Sequence, residues 1–336
     1  MMMRLLAYSG PPAWDLSRMA TDWQVEPAVL AISTAAAAWY LISAFRLARG
    51  GGTWSPARML AFFGGLGLWI TVCCSGLGVY ERVLFTDRAV QAVLLLMLVP
   101  LLLALGAPVS LMVRSASPWT ASRLEAALSG RLSRILMFPL VSTVLLIAPP
   151  WLFYFTPWYA LSLTTAVWNA AFHVGFVGFG LAYFWPRLQV DPVPRRYHPL
   201  IGVVITVAEV IFDAALGCVL VFGGHVLLPH YWSSLHRPWG WTPAVDQKWG
   251  GAVLWGLGDI AGVPFMAALI VRVLKEEKDR TREVDEELDR QEQQRGSAPA
   301  GTSQGSGTES AEEDPRPWWE TDARLAHRYA GTPPES

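Results

Sequence analysis

The sequence predicts an all-α membrane protein, a seven-transmembrane-helix bundle with the N-terminus outside, the C-terminus cytoplasmic and a disordered C-terminal tail. Three observations predict it. The chain is 53% hydrophobic and only 16% charged, with 17 Trp among 336 residues, whereas soluble domains keep about a quarter of their residues charged. Seven apolar stretches are each long enough to cross roughly 30 Å of hydrocarbon as a helix. None alternates in polarity every second residue, as barrel strands would, and helices and closed barrels alone satisfy a backbone in lipid.

The elements follow in order. Residues 1–26 form an extracytoplasmic segment in which Pro11, Pro12 and Asp15 interrupt any signal-peptide core. The membrane domain covers 27–274, with spans expected over Pro27 to Phe45, Met59 to Val79, Ala89 to Val113, Ile135 to Phe155, Leu163 to Trp185, Leu200 to Phe222 and Gly251 to Val273. Arginine and lysine concentrate in alternate connections: Arg46, Arg49 and Arg58, then Arg114, Arg123, Arg131 and Arg134, then Arg187, Arg195 and Arg196, then Arg272, Lys275, Lys278 and Arg280. The positive-inside rule places those connections in the cytoplasm. Trp14, Trp23, Trp151, Trp158, Trp232, Trp239, Trp241 and Trp249 fall at the opposite boundary, where indoles favour the headgroup region.

Past Leu274 the composition changes. Residues 275–295 mix acids and bases at helix-neighbour spacing and read as a charged helical stalk. Residues 296–336 open with Gly, Ser, Thr and Gln and bury nothing, so they read as a disordered cytoplasmic tail. Its short aromatic motif, Pro317-Trp318-Trp319-Glu320 with Leu325 to Tyr329, is either a membrane-surface contact or a docking peptide for a cytoplasmic partner.

The chemistry is sparse. There is no P-loop, no paired catalytic motif and no sign of nucleic-acid binding, so the reading is of a non-enzyme. Gly64-Gly65-Leu66-Gly67 reads as close helix packing. Adjacent Cys73 and Cys74 point about 100° apart on a helix and do not readily chelate one ion.

Intramembrane carboxylates are the informative exception. A charge at the bilayer centre costs roughly 3 kcal/mol or more and needs a partner. Counting ~1.5 Å per residue from the outer helix ends places His173, Asp213 and Asp259 in one layer roughly 13–15 Å deep, with Glu209 a turn further on and Arg88 able to reach inward from the boundary. This intramembrane polar cluster has three readings: a divalent metal site with His173 as ligand, a hydrogen-bonded brace without any ion, and a proton path through Glu209 and Asp213. The last supports an alternative function, a proton-coupled small-solute transporter, although no internal repeat accompanies it. His225, His230 and His236 in the last outer loop are further candidates for capturing an ion.

Short motifs then accumulate in order: Trp23-Gln24-Val25-Glu26-Pro27, Gly52-Thr53-Trp54-Ser55-Pro56-Ala57-Arg58, Val83-Leu84-Phe85-Thr86, Pro100, Leu105-Gly106-Ala107-Pro108, Phe184-Trp185-Pro186, Val190-Asp191-Pro192-Val193-Pro194 and Asp246-Gln247-Lys248 before Leu254-Trp255-Gly256-Leu257-Gly258-Asp259-Ile260. On these the chain resembles the CtaG-type cytochrome c oxidase assembly family of bacterial integral membrane proteins. The resemblance implies a multi-pass plasma-membrane assembly factor of the respiratory chain, with the lipid bilayer and cytochrome c oxidase subunits as partners and copper as the associated metal. It also implies degenerate ligands. Arg88 and Ala92 stand where the family pattern has two histidines four apart, and Asp213 stands where it has a histidine in the sixth helix. His173 alone remains. The exchange suggests that Arg88 pairs with Asp213, with His173 and Asp259 as partners, in place of a metal.

Overall fold

The computed structural model describes residues 8–128, 138–188 and 214–256, with isolated positions at 130, 135, 211–212 and between 260 and 290. Among the described residues every regular element is helical. Helix α1 is the single turn Arg18–Thr21, α2 spans Pro27–Arg49, α3 Pro56–Cys74 and α4 Gly76–Tyr80. Next come α5 (Phe85–Val93), a π-helical turn (Leu94–Leu98), α6 (Val99–Leu105), α7 (Pro108–Ser115) and α8 (Pro118–Leu128). Helices α9 (Pro139–Phe155), α10 (Pro157–Thr164), α11 (Ala166–Leu188) and α12 (Pro229–Ser234) follow, and residues 214–222 and 243–256 are also helical.

Proline sets most of the starts. Pro27, Pro56, Pro108, Pro139, Pro157 and Pro229 occupy the first turn of their helices, where the missing N–H is an orphan anyway and φ is already helical. Among the described residues four runs are long and apolar enough to cross a membrane: Pro27–Arg49, Pro56–Tyr80, Phe85–Ser115 and Ala166–Leu188. A fifth is broken, with Leu140–Phe155 and Pro157–Thr164 meeting at 72°. The expected sixth and seventh spans lie largely outside the described residues, as do the aromatic tail motif and most of the stalk. Within the stalk, Arg282 Nε donates to Glu286 Oε1 at 3.1 Å, one helical turn apart.

The core forms where α3 packs along α6 and where α11 meets α6, α9, α10 and the π-helical turn; α2 lies against α3 and α7. Phe153, Phe172 and Phe176 are fully buried at this crossing, with the Phe153 and Phe172 rings stacked at 4.4 Å. Pro100 explains part of the helix irregularity. Lacking an N–H, it cannot bond the carbonyl four residues back, and π turns are one way a helix absorbs such a defect.

That carbonyl belongs to Leu96, and it faces Gly180 of α11. A Cβ at Gly180 would collide with Leu96 O and with the Pro100 ring. Gly180→Ala is therefore expected to destabilise the bundle by about 2 kcal/mol through overpacking, read as a lowered midpoint of unfolding in detergent. Gly64→Ala is the control, because that position opens into space. Of the glycine patch expected to serve close packing, Gly65 packs against Leu103, while Gly64 and Gly67 face nothing within 4 Å among the described residues.

One turn along from the Gly65–Leu103 contact, the motif residues Trp54 and Gly106 meet at Tyr40. Buried Tyr40 donates its hydroxyl proton to Gly106 O at 2.8 Å and accepts from Trp54 Nε1 at 2.8 Å. The chain breaks just beyond, at left-handed Ala107 (φ 50°), before Pro108 restarts the helix.

Candidate functional site

Five side chains meet where α2, α5 and α11 begin and where α4 ends. Glu26 precedes α2, Glu81 lies in the four-residue turn between the second and third spans, Arg88 sits in the first turns of α5, and Asn169 and His173 stand four apart on α11. Residues so spaced share a helix face. Arg88, Asn169 and His173 are fully buried and Glu81 is 1% exposed.

Glu81 is the hub. Its Oε2 accepts from His173 Nε2 at 2.9 Å and lies 3.6 Å from Arg88 Nη1. Its Oε1 accepts from Asn169 Nδ2 at 2.6 Å. Asn169 also donates toward Glu26 Oε1 at 3.3 Å and accepts from Arg88 Nη2 at 2.9 Å. Carboxylates only accept and guanidinium only donates, so the amide has one consistent orientation. His173 must carry a proton on Nε2 for the same reason. Its Nδ1 lies 3.9 Å from Glu26 Oε2, and the Arg88 guanidinium also rests 4.6 Å over the Phe172 ring.

The electrostatics follow from this packing. Burial pushes the Glu81 carboxyl up, but the Arg88 and His173 charges and the His173 hydrogen bond outweigh it and hold the group at about 2, against an ordinary 4.5. Glu26 moves the other way: burial raises it, and the facing His173 offsets that in part. For Glu81 the unfolded chain binds the extra proton between these values, so stability rises with pH there. Its contribution, roughly 3 kcal/mol at 1.36 kcal/mol per pH unit, is complete above pH 4.5 and lost as pH falls toward 2. Glu26 acts above pH 4.5 with the opposite sign. Glu81→Gln is thus expected to flatten the acid limb of a stability-against-pH curve while Glu26→Gln leaves that limb in place.

Arg88 is fully buried in the first turns of α5. Its ion-pair partner among the described residues is Glu81, where the sequence pointed to Asp213. Asp213, Glu209 and Asp259 lie outside the described residues. His173 is a member of the buried network, about two turns into α11 at 1.5 Å per residue. His225, His230 and His236 are all exposed, and no group of three or more His, Cys, Asp or Glu among the described residues is arranged to hold a metal ion.

Glu81 and Asn169 carry no sequence signal of their own as site residues, and Glu26 enters only through the Trp23 to Pro27 motif. Glu81 falls in a connection and Glu26 in the N-terminal segment, where charge costs little, and Asn carries none. The Asn169 to His173 spacing was the available signal.

A second constellation fixes the site from outside. Asp246 accepts from Phe85 N at 2.8 Å, Thr86 N at 3.2 Å and Thr86 Oγ1 at 2.7 Å, capping α5 from 160 residues away. Gln247 ties the same segment to Leu227 N at 2.7 Å and His225 O at 2.8 Å.

The donor set argues against a copper site here. It offers one imidazole, two carboxylates and an amide around a guanidinium, which already supplies the positive charge and cannot be deprotonated to ligate. Cys73 and Cys74 are buried, and no metal-holding group of three or more His, Cys, Asp or Glu includes them among the described residues.

Comparison with known proteins agrees with the motif pattern. An uncharacterized protein of Mycobacterium bovis is 26% identical over 282 residues, covering 81% of this chain and 42% of the relative. One of Mycobacterium leprae is 26% identical over 275 residues, covering 80% and 42%. The chain therefore spans less than half the length of these curated relatives. No solved structure matches it. The family model described as cytochrome c oxidase caa3 assembly factor (Caa3_CtaG) matches residues 38–276, a stretch that takes in Glu81, Arg88, Asn169, His173 and Asp246, and the chain belongs to that family.

Proposed function

We propose that this chain is a multi-pass assembly factor for a cytochrome c oxidase in a bacterial plasma membrane, acting by binding rather than by covalent catalysis. The observation that carries the reading is the family match over residues 38–276. In this reading the Glu81 end of the bundle faces outward and the charged stalk lies in the cytoplasm, as the arginine distribution favours. The buried network braces the outward ends of α2, α5 and α11, presenting a fixed surface to the client.

Copper, in this scheme, is at most a cargo handled elsewhere on the protein or by its partner, since the network offers an arginine where a ligand would be needed. Among the described residues nothing in the geometry favours proton-coupled transport, and Glu209 and Asp213 lie outside them.

Deleting the gene and measuring oxidase activity and oxidase-bound copper tests the proposal. Loss of assembled oxidase, restored by the wild-type gene, is the expected result. Normal oxidase in the deletion strain overturns it. Purified protein loaded with copper and washed is expected to retain much less than one equivalent, and stoichiometric copper lost on His173→Ala would overturn the metal-free reading of the network.

A further inference from the structure

A cavity of about 270 Å³ lies at the start of α5, apart from the Glu81 network. Trp14, Trp239 and Trp241 line it, together with Thr86, Asp87 and Asp246. The two carboxylates differ in what they already hold. Asp246 is occupied: it caps α5 and has the Arg237 guanidinium 3.9 Å away. Asp87 is 5% exposed, and its Oδ2 is buried with no hydrogen-bond partner among the described residues.

Arg237, the nearest cation, is committed to other groups. It donates to Val83 O at 3.2 Å and to Trp241 O, and it lies over the Trp239 ring. The dipole of α5 favours a carboxylate in its first turn but supplies no donor to Oδ2. A buried acceptor left without a donor is costly, and indole is the best of the aromatic faces for a cation. The cavity therefore lacks one thing, a compact positive group bearing N–H donors. Its volume, at the small end for ligand sites, suits a short amine.

We propose that this cavity binds a primary alkylammonium group, with an N–H donating to Asp87 Oδ2 and the carbon chain against the indoles. That chemistry has two sources, a free small amine and the ethanolamine headgroup of a membrane lipid.

The test is calorimetric titration of the full chain in phosphatidylcholine nanodiscs with n-butylammonium chloride, and with 1-pentanol as its uncharged analogue. Saturable binding of the amine is expected, weakened at least tenfold by Asp87→Asn and by Trp241→Leu, with no saturable heat from the alcohol. The exposed Trp241 variant keeps the test valid should Asp87→Asn fail to fold. Repeating the titration in phosphatidylethanolamine nanodiscs separates the sources: disappearance of the heat assigns the site to the lipid headgroup, and unchanged heat assigns it to a free amine. Absence of binding in phosphatidylcholine, equal binding by the alcohol, or wild-type affinity in both variants overturns the proposal.

Discussion

Arg88→Met is expected to destabilise the protein by about 3–5 kcal/mol, the usual cost of breaking a buried ion pair from one side. The damage comes from what remains. Glu81, 1% exposed, would keep its charge without the guanidinium that compensates it, and the Asn169 carbonyl would lose its donor. Glu81→Gln should cost a similar amount for the mirror reason. The double change Glu81→Gln with Arg88→Met removes both charges together and is expected to recover most of the loss, because the attraction of a buried pair roughly repays its desolvation. Denaturant unfolding in a fixed detergent, run as a double-mutant cycle, measures the coupling.

Arg88→Lys separates charge from shape. Lysine preserves the charge but not the planar fork that reaches Asn169 and Glu81 together while lying over Phe172, so an intermediate loss is expected. A fully stable Arg88→Met protein would mean that the pair contributes nothing, and a fully stable Arg88→Lys protein would mean that the fork geometry is irrelevant.

The sequence made the scaffold legible because its signals are local. The apolar runs expected over 27–45, 59–79, 89–113 and 163–185 match the described spans Pro27–Arg49, Pro56–Tyr80, Phe85–Ser115 and Ala166–Leu188 to within four residues at each end, whereas the helix Pro157–Thr164 has no counterpart among them. The break at Leu94–Leu98 was not legible. Its apolar residues continue the surrounding pattern without a gap, and the cause is the missing N–H of Pro100 acting on a carbonyl one turn earlier.

The site was half legible. Arg88 and His173 stood out because charged or titratable groups in apolar runs need explanation. Their partner did not, because Glu81 belongs to a connection, and a connection reads as solvated until packing shows that it is sealed under α11. Depth counted along the sequence also depends on where each helix begins, which hydropathy marks late. Phe85 begins α5 four residues ahead of the predicted Ala89, which sets Arg88 inside the helix rather than ahead of it.

Asp246 carries the second large effect. Asp246→Ala is expected to cost about 3 kcal/mol, combining a lost N-cap with a buried backbone donor left unpaired. Phe85 N points into a buried bond with Asp246 Oδ2, so water does not readily replace it. The consequence should extend beyond the cap, because the first turns of α5 position Arg88. Loosening them is expected to speed hydrogen exchange at the Phe85 and Thr86 amides first, and at the Arg88 and Ala89 amides with them. Asp246→Asn should fall between wild type and alanine, since the side-chain carbonyl can serve one of the two backbone donors while its NH₂ opposes the other. If Asp246→Ala unfolds at the wild-type midpoint and leaves exchange at Phe85 unchanged, α5 is held by its packing alone, and the long-range cap has no energetic role in placing Arg88.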